Sequence, residues 1–483
     1  MIRALVSRRY LRPAAITAGV LLSAAATSAG AQQIDRAQHP PVGPAAAVKA
    51  PAIVKRTLPN GLQVWTVTRR ELPIVNALLL VRAGSALDAA QPGIAQVTAS
   101  SLDDGAGGRT AIEFANAVDF LGANLNAGAG DEQTTISLQT LRKHADSAFA
   151  LMGDMVVRPA FAESELARER RSRIQALRQA KDQPTVIATQ TFDRLVYGAD
   201  HPYGHAAGGT EQTIGALTRA NVAAFHDAYF RPNNAVLIVV GDVTAPDAQA
   251  LATRAFGRWT SQPVPPAAAA IPARPASHPT AVYLIDKPGA AQSQIRIGHA
   301  LTSRTTSPDY YALRVLNTAL GEAFTSRINL NIREAKGYTY GARTGMTFAR
   351  GDGPFVASAG VFSAKTDSSL IEFMKELRDI RAGRPITPEE TEFARASLVR
   401  AYPRRLETNA GVAGLLADIA FFRLPDTEIT GYLSKLGAVK PADVTRVAQK
   451  YLAPDSSVVV VVGDLTTIRP GIEALHLGPV TVL

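Results

Sequence analysis

Apolar and polar positions along this chain fall into short runs of two periods. Alternation across Ile53–Val67, interrupted by Pro59-Asn-Gly61, predicts two strands joined by a turn, and Val75–Val81 is continuous enough in apolar residues for a buried strand. Helical spacing follows over Gly93–Leu102 and Ile112–Leu121, a strand pattern over Thr134–Leu138, and a long helical pattern over Glu163–Lys181. Strands and helices mix without the strict alternation of a doubly wound parallel sheet. The pattern predicts an α+β architecture with antiparallel-rich sheets backed by helices.

The chain then repeats itself. Val222-Ala-Ala-Phe-His-Asp-Ala-Tyr229 and the run from Arg231 to Thr244 have a second edition between Val444 and Thr466, in which Tyr451 answers Tyr229 and Gly463 answers Gly241. Both pairs are 222 positions apart, so the match is in register and implies two homologous domains. A stretch rich in proline and alanine, with Pro263, Pro265, Pro266, Pro272, Pro275 and Pro279, separates them as an extended linker. The second half opens with strand patterns at Ala281–Ile285 and Gln294–Ile297, and later shows a strand over Phe355–Phe362 and a helix over Glu389–Tyr402. The expected domains are residues 49–261 and 281–483, with the linker at 262–280.

Within the second half, Ser326 to Lys336 reads as an amphipathic helix with Ile328, Ile332 and Ala335 inward, stopped by Gly337 and followed by a strand from Tyr338. Arg333 on its last turn and Tyr340 beyond it could converge. Such a pair offers a guanidinium and a phenol, both hydrogen-bond donors, with no nucleophile, base or metal ligand. By local pattern alone it reads first as an ordinary helix-to-strand turn with a solvated Arg and a half-buried Tyr.

The first residues change the picture of location. Arg3, Arg8, Arg9 and Arg12 precede an apolar run from Ala14 to Ala26 and then Ala29-Gly-Ala31, the layout of a secretory signal at residues 1–31 cleaved after Ala31, with a flexible lead-in at 32–48. Its removal takes away four arginines and no acid, lowering the formal charge from +10 to +6. No later run approaches the roughly 20 apolar residues of a spanning helix. The chain has no cysteine, which excludes disulfides, thiolate metal sites and a lipid-anchored cysteine. A periplasmic or otherwise exported protein, not inserted in the membrane, is expected.

Candidate chemistry is sparse. Of eight histidines, His201 and His205 have ligand-like spacing, but Pro202 and Gly204 between them disfavour a shared helical face, and no acid completes a zinc site. Neither a G-x-S-x-G elbow nor a phosphate-binding glycine loop occurs. The arginines of Glu163–Lys181 have Glu165 and Glu169 as partners within the helix. They read as a solvated, ion-paired face, and nucleic acid is not an expected partner.

Taken together, the two halves, Pro92-Gly-Ile-Ala95 opening a helix, Asp182-Gln-Pro184, His201-Pro-Tyr-Gly204 with Gly209-Thr210, and Arg333-x-x-x-Gly337-x-x-Tyr340 resemble the pitrilysin/insulinase family of zinc metallopeptidases, from about Val54 to Thr466. In that family the first helix carries an inverted His-x-x-Glu-His that holds zinc and supplies the base. Here those positions read Gln96-Val-Thr-Ala99-Ser100, and the position of the family's distant glutamate ligand falls on Ala176. An amide, a hydroxyl and two methyl groups cannot replace two imidazoles and two carboxylates, so no metal is expected in this chain. Arg333 and Tyr340, by contrast, match the family's pair.

The resemblance thus implies the non-catalytic subunit of a two-subunit zinc metallopeptidase. Arg333 and Tyr340 would act in trans on the carbonyl of a peptide substrate, and zinc would reside in a homologous partner chain of the heterodimer. The edge formed by Asn124–Ala127 with Thr134–Ser137 is a candidate for strand addition by an extended peptide. The competing reading is a peptide-binding or scaffolding protein without enzymatic chemistry.

Overall fold

The computed structural model describes residue 43 and residues 48–266 and 271–483; the expected signal segment, its cleavage site and most of the lead-in lie outside the described residues, as do residues 267–270 of the linker. Strands β1 (Val54–Thr57), β2 (Gln63–Thr68), β3 (Ile74–Val81), β4 (Asn124–Ala129), β5 (Thr134–Leu141) and β6 (Ala235–Gly241) form one sheet in the order β1-β2-β6-β3-β5-β4. The turn between β1 and β2 closes through Leu58 and Leu62 at 2.9 Å and needs the left-handed φ of Gly61, +89°. A second sheet holds β7 (Ala281–Asp286), β8 (Gln292–Ala300), β9 (Thr339–Met346), β10 (Pro354–Phe362), β11 (Val458–Gly463) and β12 (Val480–Val482), ordered β12-β7-β11-β8-β10-β9.

Five strands of each sheet answer one another in place, β2-β6-β3-β5-β4 and β7-β11-β8-β10-β9, while the sixth place is filled by β1, antiparallel to β2, in one and by β12, parallel to β7, in the other. The repeated valine-rich runs become β6 and β11, each paired parallel to one neighbour (β2 or β7) and antiparallel to the other (β3 or β8). Most other pairings are antiparallel, as the pattern predicts. β1 and β4 are the edges of the first sheet, β12 and β9 those of the second, and β4 is the edge anticipated from Asn124–Ala127.

The runs at β6 and β11 lack alternation because both faces are covered. Leu237 and Val239 enter the core of the first half, while Val236, Ile238 and Val240 meet Val412, Leu416 and Ile419 on the Asn409–Phe422 helix of the second half. Reciprocally, Val459 and Val461 enter the second core, and Val458, Val460 and Val462 meet Ala188 and Phe192 on the Pro184–Tyr197 helix of the first half. Each large apolar side chain so buried contributes about 1.5–3 kcal/mol. The halves therefore interlock, each sheet carrying a helix lent by the other.

Hairpin tips complete the junction. Glu132, between β4 and β5, is buried and accepts from Arg350 Nε at 3.1 Å, across from the loop between β9 and β10; the Tyr203 hydroxyl also donates to it. Tyr203 in turn accepts from the Gly351 amide at 3.2 Å. The described part of the linker is held as well, through His201 Nε2 on the Pro272 carbonyl (3.3 Å) and Arg274 Nη1 on the Ala300 carbonyl (2.6 Å).

One expected helix differs. After a single α-helical turn at Arg327–Asn329, the segment Leu330–Ala335 is a π-helix, with the Lys336 amide bonded to the Asn331 carbonyl at 3.0 Å. The wider turn rotates its last residues, so Ile328 and Ile332 are buried but Ala335, expected inward, is exposed. Gly337, at φ +66°, ends it as the sequence suggests, with the Tyr338 amide bonded back to the Ile332 carbonyl at 3.0 Å.

Candidate functional site

The Ile94–Ser100 helix begins at Gly93, whose φ of +97° suits glycine, and its first amides are held by the carboxylate of Asp88. Gly93 N and Ala95 N donate to its two oxygens at 2.6 and 3.0 Å. Burial pushes the Asp88 carboxyl up to about 7 despite these two bonds, so it holds the helix start chiefly as a hydrogen-bond acceptor. Ala95 and Val97 anchor the helix in the core, which turns Gln96 and Ser100, four apart, toward the Glu163–Ala180 helix.

There they meet a cation that belongs to the protein. Arg173 donates from Nη1 to Gln96 Oε1 at 2.8 Å, and from Nη2 to Ser100 Oγ at 3.2 Å and Glu169 Oε1 at 2.8 Å. Ser100 Oγ donates to the same Glu169 oxygen at 2.7 Å. The side chains of Arg173 and Glu169 are only 18% and 16% exposed, so this ion pair is largely shielded from solvent. Burial by itself would raise the Glu169 carboxyl, but the hydrogen bonds from Ser100 and Arg173 outweigh it and hold it below its ordinary value.

Of the four positions where the resemblance places metal ligands and base, the structure brings Gln96 and Ser100 into this cluster. Ala99 is buried behind them, and Ala176 is exposed one turn beyond Arg173. The residues present do not fit zinc. The amide and hydroxyl oxygens are already engaged, the one carboxylate is paired, and a guanidinium charge stands among them. Among the described residues no group of three or more histidine, aspartate or glutamate side chains is arranged to hold a metal. His201 and His205 lie in a turn, as Pro202 and Gly204 suggest, and His201 Nδ1 accepts from the Tyr203 amide at 3.1 Å.

This cluster corrects part of the reading of the Glu163–Ala180 helix as a solvated face. Arg168 does pair with Glu165 at 2.8 Å on the surface, whereas Arg173 and Glu169 turn inward. Their i, i+4 spacing is common to surface pairs, and nothing local in the sequence separates the two cases.

The second-half pair is placed differently. Arg333 lies over the ring of Phe324 at 4.6 Å and touches the carboxylate of its neighbour Glu334 at 3.2 Å. Tyr340, at the start of edge strand β9, is 79% exposed and rests edge-on against Phe362, with ring centroids 6.2 Å apart. The two side chains make no hydrogen bond to each other. Both sit at the edge of the second sheet, with Tyr340 open to solvent and Arg333 half-buried.

Comparison with known proteins bears on this arrangement. The family model "Insulinase (Peptidase family M16)" matches residues 64–199, and "Peptidase M16 inactive domain" matches residues 216–398. The chain belongs to the insulinase family of peptidases. A crystal structure of a peptidase M16 inactive domain from Pseudomonas fluorescens is 26% identical with a TM-score of 0.80, covering 86% of this chain and 98% of that one. A protease from Helicobacter pylori shares the fold at a TM-score of 0.77, with 23% identity, 85% of this chain and 99% of that one covered. Among curated proteins, an uncharacterized zinc protease of Mycobacterium leprae is 27% identical over 361 residues, 73% of this chain and 78% of that protein. One from Streptomyces coelicolor is 24% identical over 417 residues, 84% and 89%. In this insulinase-family chain no described helix is long and apolar enough to cross a membrane.

Proposed function

We propose that this chain is the non-catalytic member of a two-chain, exported zinc peptidase. It binds peptide and donates hydrogen bonds from Arg333 and Tyr340 to the scissile carbonyl held at the zinc site of a homologous partner. One contrast supports the reading: Arg173 is bonded to Gln96 and Ser100, two of the positions where the resemblance puts the family's metal ligands, while Tyr340 stands open to solvent on edge strand β9 with Arg333 half-buried nearby. The exposed Tyr340 phenol and the half-buried Arg333 guanidinium, stacked on an exposed Phe324, are donors that the packing of this domain does not require.

The partner's zinc supplies the hydrolytic chemistry. This chain's contribution is electrostatic. As the peptide carbon becomes tetrahedral, negative charge grows on its oxygen, and donors already aimed there stabilise the transition state more than the bound peptide. A guanidinium and a phenol both donate hydrogen bonds without giving up a proton. The stack on Phe324 limits the conformations of Arg333 and so lowers the entropy lost when it engages. The unpaired backbone groups of edge strands β4 and β9 can hold an extended peptide by strand addition. The signal-like first residues support export to the periplasm, where such a pair of chains would meet.

The test is reconstitution with a co-encoded zinc-bearing homologue, comparing peptide turnover for wild type, Tyr340→Phe and Arg333→Ala after assembly is confirmed. Loss of one donor is expected to reduce kcat on the order of 100- to 1,000-fold. Wild-type turnover by both assembled variants would leave the chain a peptide-binding scaffold.

A further inference from the structure

A cavity of about 440 Å³ lies where the two halves meet, lined by Asp131 from the β4–β5 hairpin, Asp193 and Tyr197 from the Pro184–Tyr197 helix, His205, and Arg296 from β8. Its size is within the range of small-molecule sites, about 300–1,000 Å³. Its charges are not spent on one another. Neither Arg296 nor Asp193 has a hydrogen bond or ion pair among the described residues, although each lies close enough to feel the other's charge. The Asp131 carboxylate accepts one long hydrogen bond, from Ser85 Oγ at 3.4 Å. His205 Nδ1 is buried with no partner.

Such groups are unusual in a well-packed junction. A few residues away, Glu132 is fully committed to Arg350 and Tyr203, so this region is able to pair its charges where pairing serves the fold. Burial disfavours the charged form of both Asp193, pushed up to about 6, and Arg296, whose guanidinium is lowered. A guanidinium and a carboxylate that line one cavity without a hydrogen bond between them, at a cost in desolvation, are complementary to a ligand bearing both opposite charges. We propose that this cavity binds a short zwitterionic peptide with free termini, its carboxylate on Arg296 and its ammonium on Asp193 and Asp131. Arg296 also lines an adjoining cavity of about 330 Å³ that reaches Arg343 and Gly341, the residue after Tyr340. The two cavities share Arg296 as a wall residue, and the first needs no partner chain to form.

Isothermal titration of the mature chain alone with glycylglycine, alanylalanine and leucylleucine tests this, alongside their N-acetylated and C-amidated forms. Saturable binding of at least one free dipeptide is expected, weakened at least tenfold by blocking either end. Arg296→Met and Asp193→Asn should each abolish it while leaving circular dichroism unchanged. The proposal is overturned if none of the free dipeptides binds, if blocked and free forms bind alike, or if folded Arg296→Met retains wild-type affinity. The comparison of blocked with free peptides on the wild-type chain decides the matter even where a variant fails to fold. Because turnover is not measured, failure here would leave the role of Arg333 and Tyr340 standing.

Discussion

Arg173 Nη1 lies 2.8 Å from Gln96 Oε1, joining two helices through a positive charge that cannot be removed by a chelator. The cluster it organises has the character of a structural tie between helices, with the donors and acceptors that chemistry would use already satisfied.

Arg173→Ala should therefore destabilise the fold. Hydrogen bonds to charged groups contribute about 1.5–3 kcal/mol, and Glu169 would be left without its counter-charge. Urea denaturation should show a lower midpoint with an unchanged slope. An unaltered midpoint would mean that the contacts to Gln96, Ser100 and Glu169 are incidental.

Restoring the metal motif should fail while Arg173 remains. The triple variant Gln96→His, Ala99→Glu, Ser100→His is expected to bind no stoichiometric zinc, because the guanidinium repels the ion and Ala176 offers no ligand. Adding Arg173→Ala and Ala176→Glu should allow binding. Metal analysis after equilibrium dialysis reads both results, and zinc in the triple variant would contradict the role given to Arg173.

The hairpin contact between Glu132 and Arg350 should hold the halves together. Glu132→Gln keeps the size but removes the charge, and breaking a buried pair from one side costs about 3–5 kcal/mol. Limited proteolysis should then cut within residues 262–280 faster than in the wild type, since the linker is anchored to this junction through Pro272 and Arg274. Equal cutting rates would show that the interlocked helices suffice.

Acid should weaken the second half through Asp309. Burial works against its ionisation, but Arg446 (2.8 Å), Lys450 (3.0 Å) and the Tyr451 hydroxyl (2.8 Å) outweigh it and bring the carboxyl down to about 2. A depressed carboxyl stabilises the fold above its unfolded value of about 3.9 and loses that contribution as pH falls toward its folded value. Asp309→Asn should cost about 1–2 kcal/mol at pH 7 and almost nothing at pH 2. A cost independent of pH would point to packing instead of charge.

Much of this protein was legible without coordinates. The 222-residue repeat, the alternating strands and the glycines at 61, 93 and 337 reflect local rules of period and backbone freedom, and they determined the two α+β halves and the start of each key element. That Gln96-Val-Thr-Ala-Ser100 offers no imidazole or carboxylate was equally plain. What those side chains meet was not. Arg173 and Glu169 have the spacing of any surface pair, and only the packing of two helices 73 residues apart turns them inward onto Ser100. The same holds for the helices exchanged between halves, for the widened turn before Gly337, and for the unpaired Arg296 and Asp193. Local sequence sets which conformations are cheap; which charges meet, and which are left waiting, depends on distant segments competing for the same buried space.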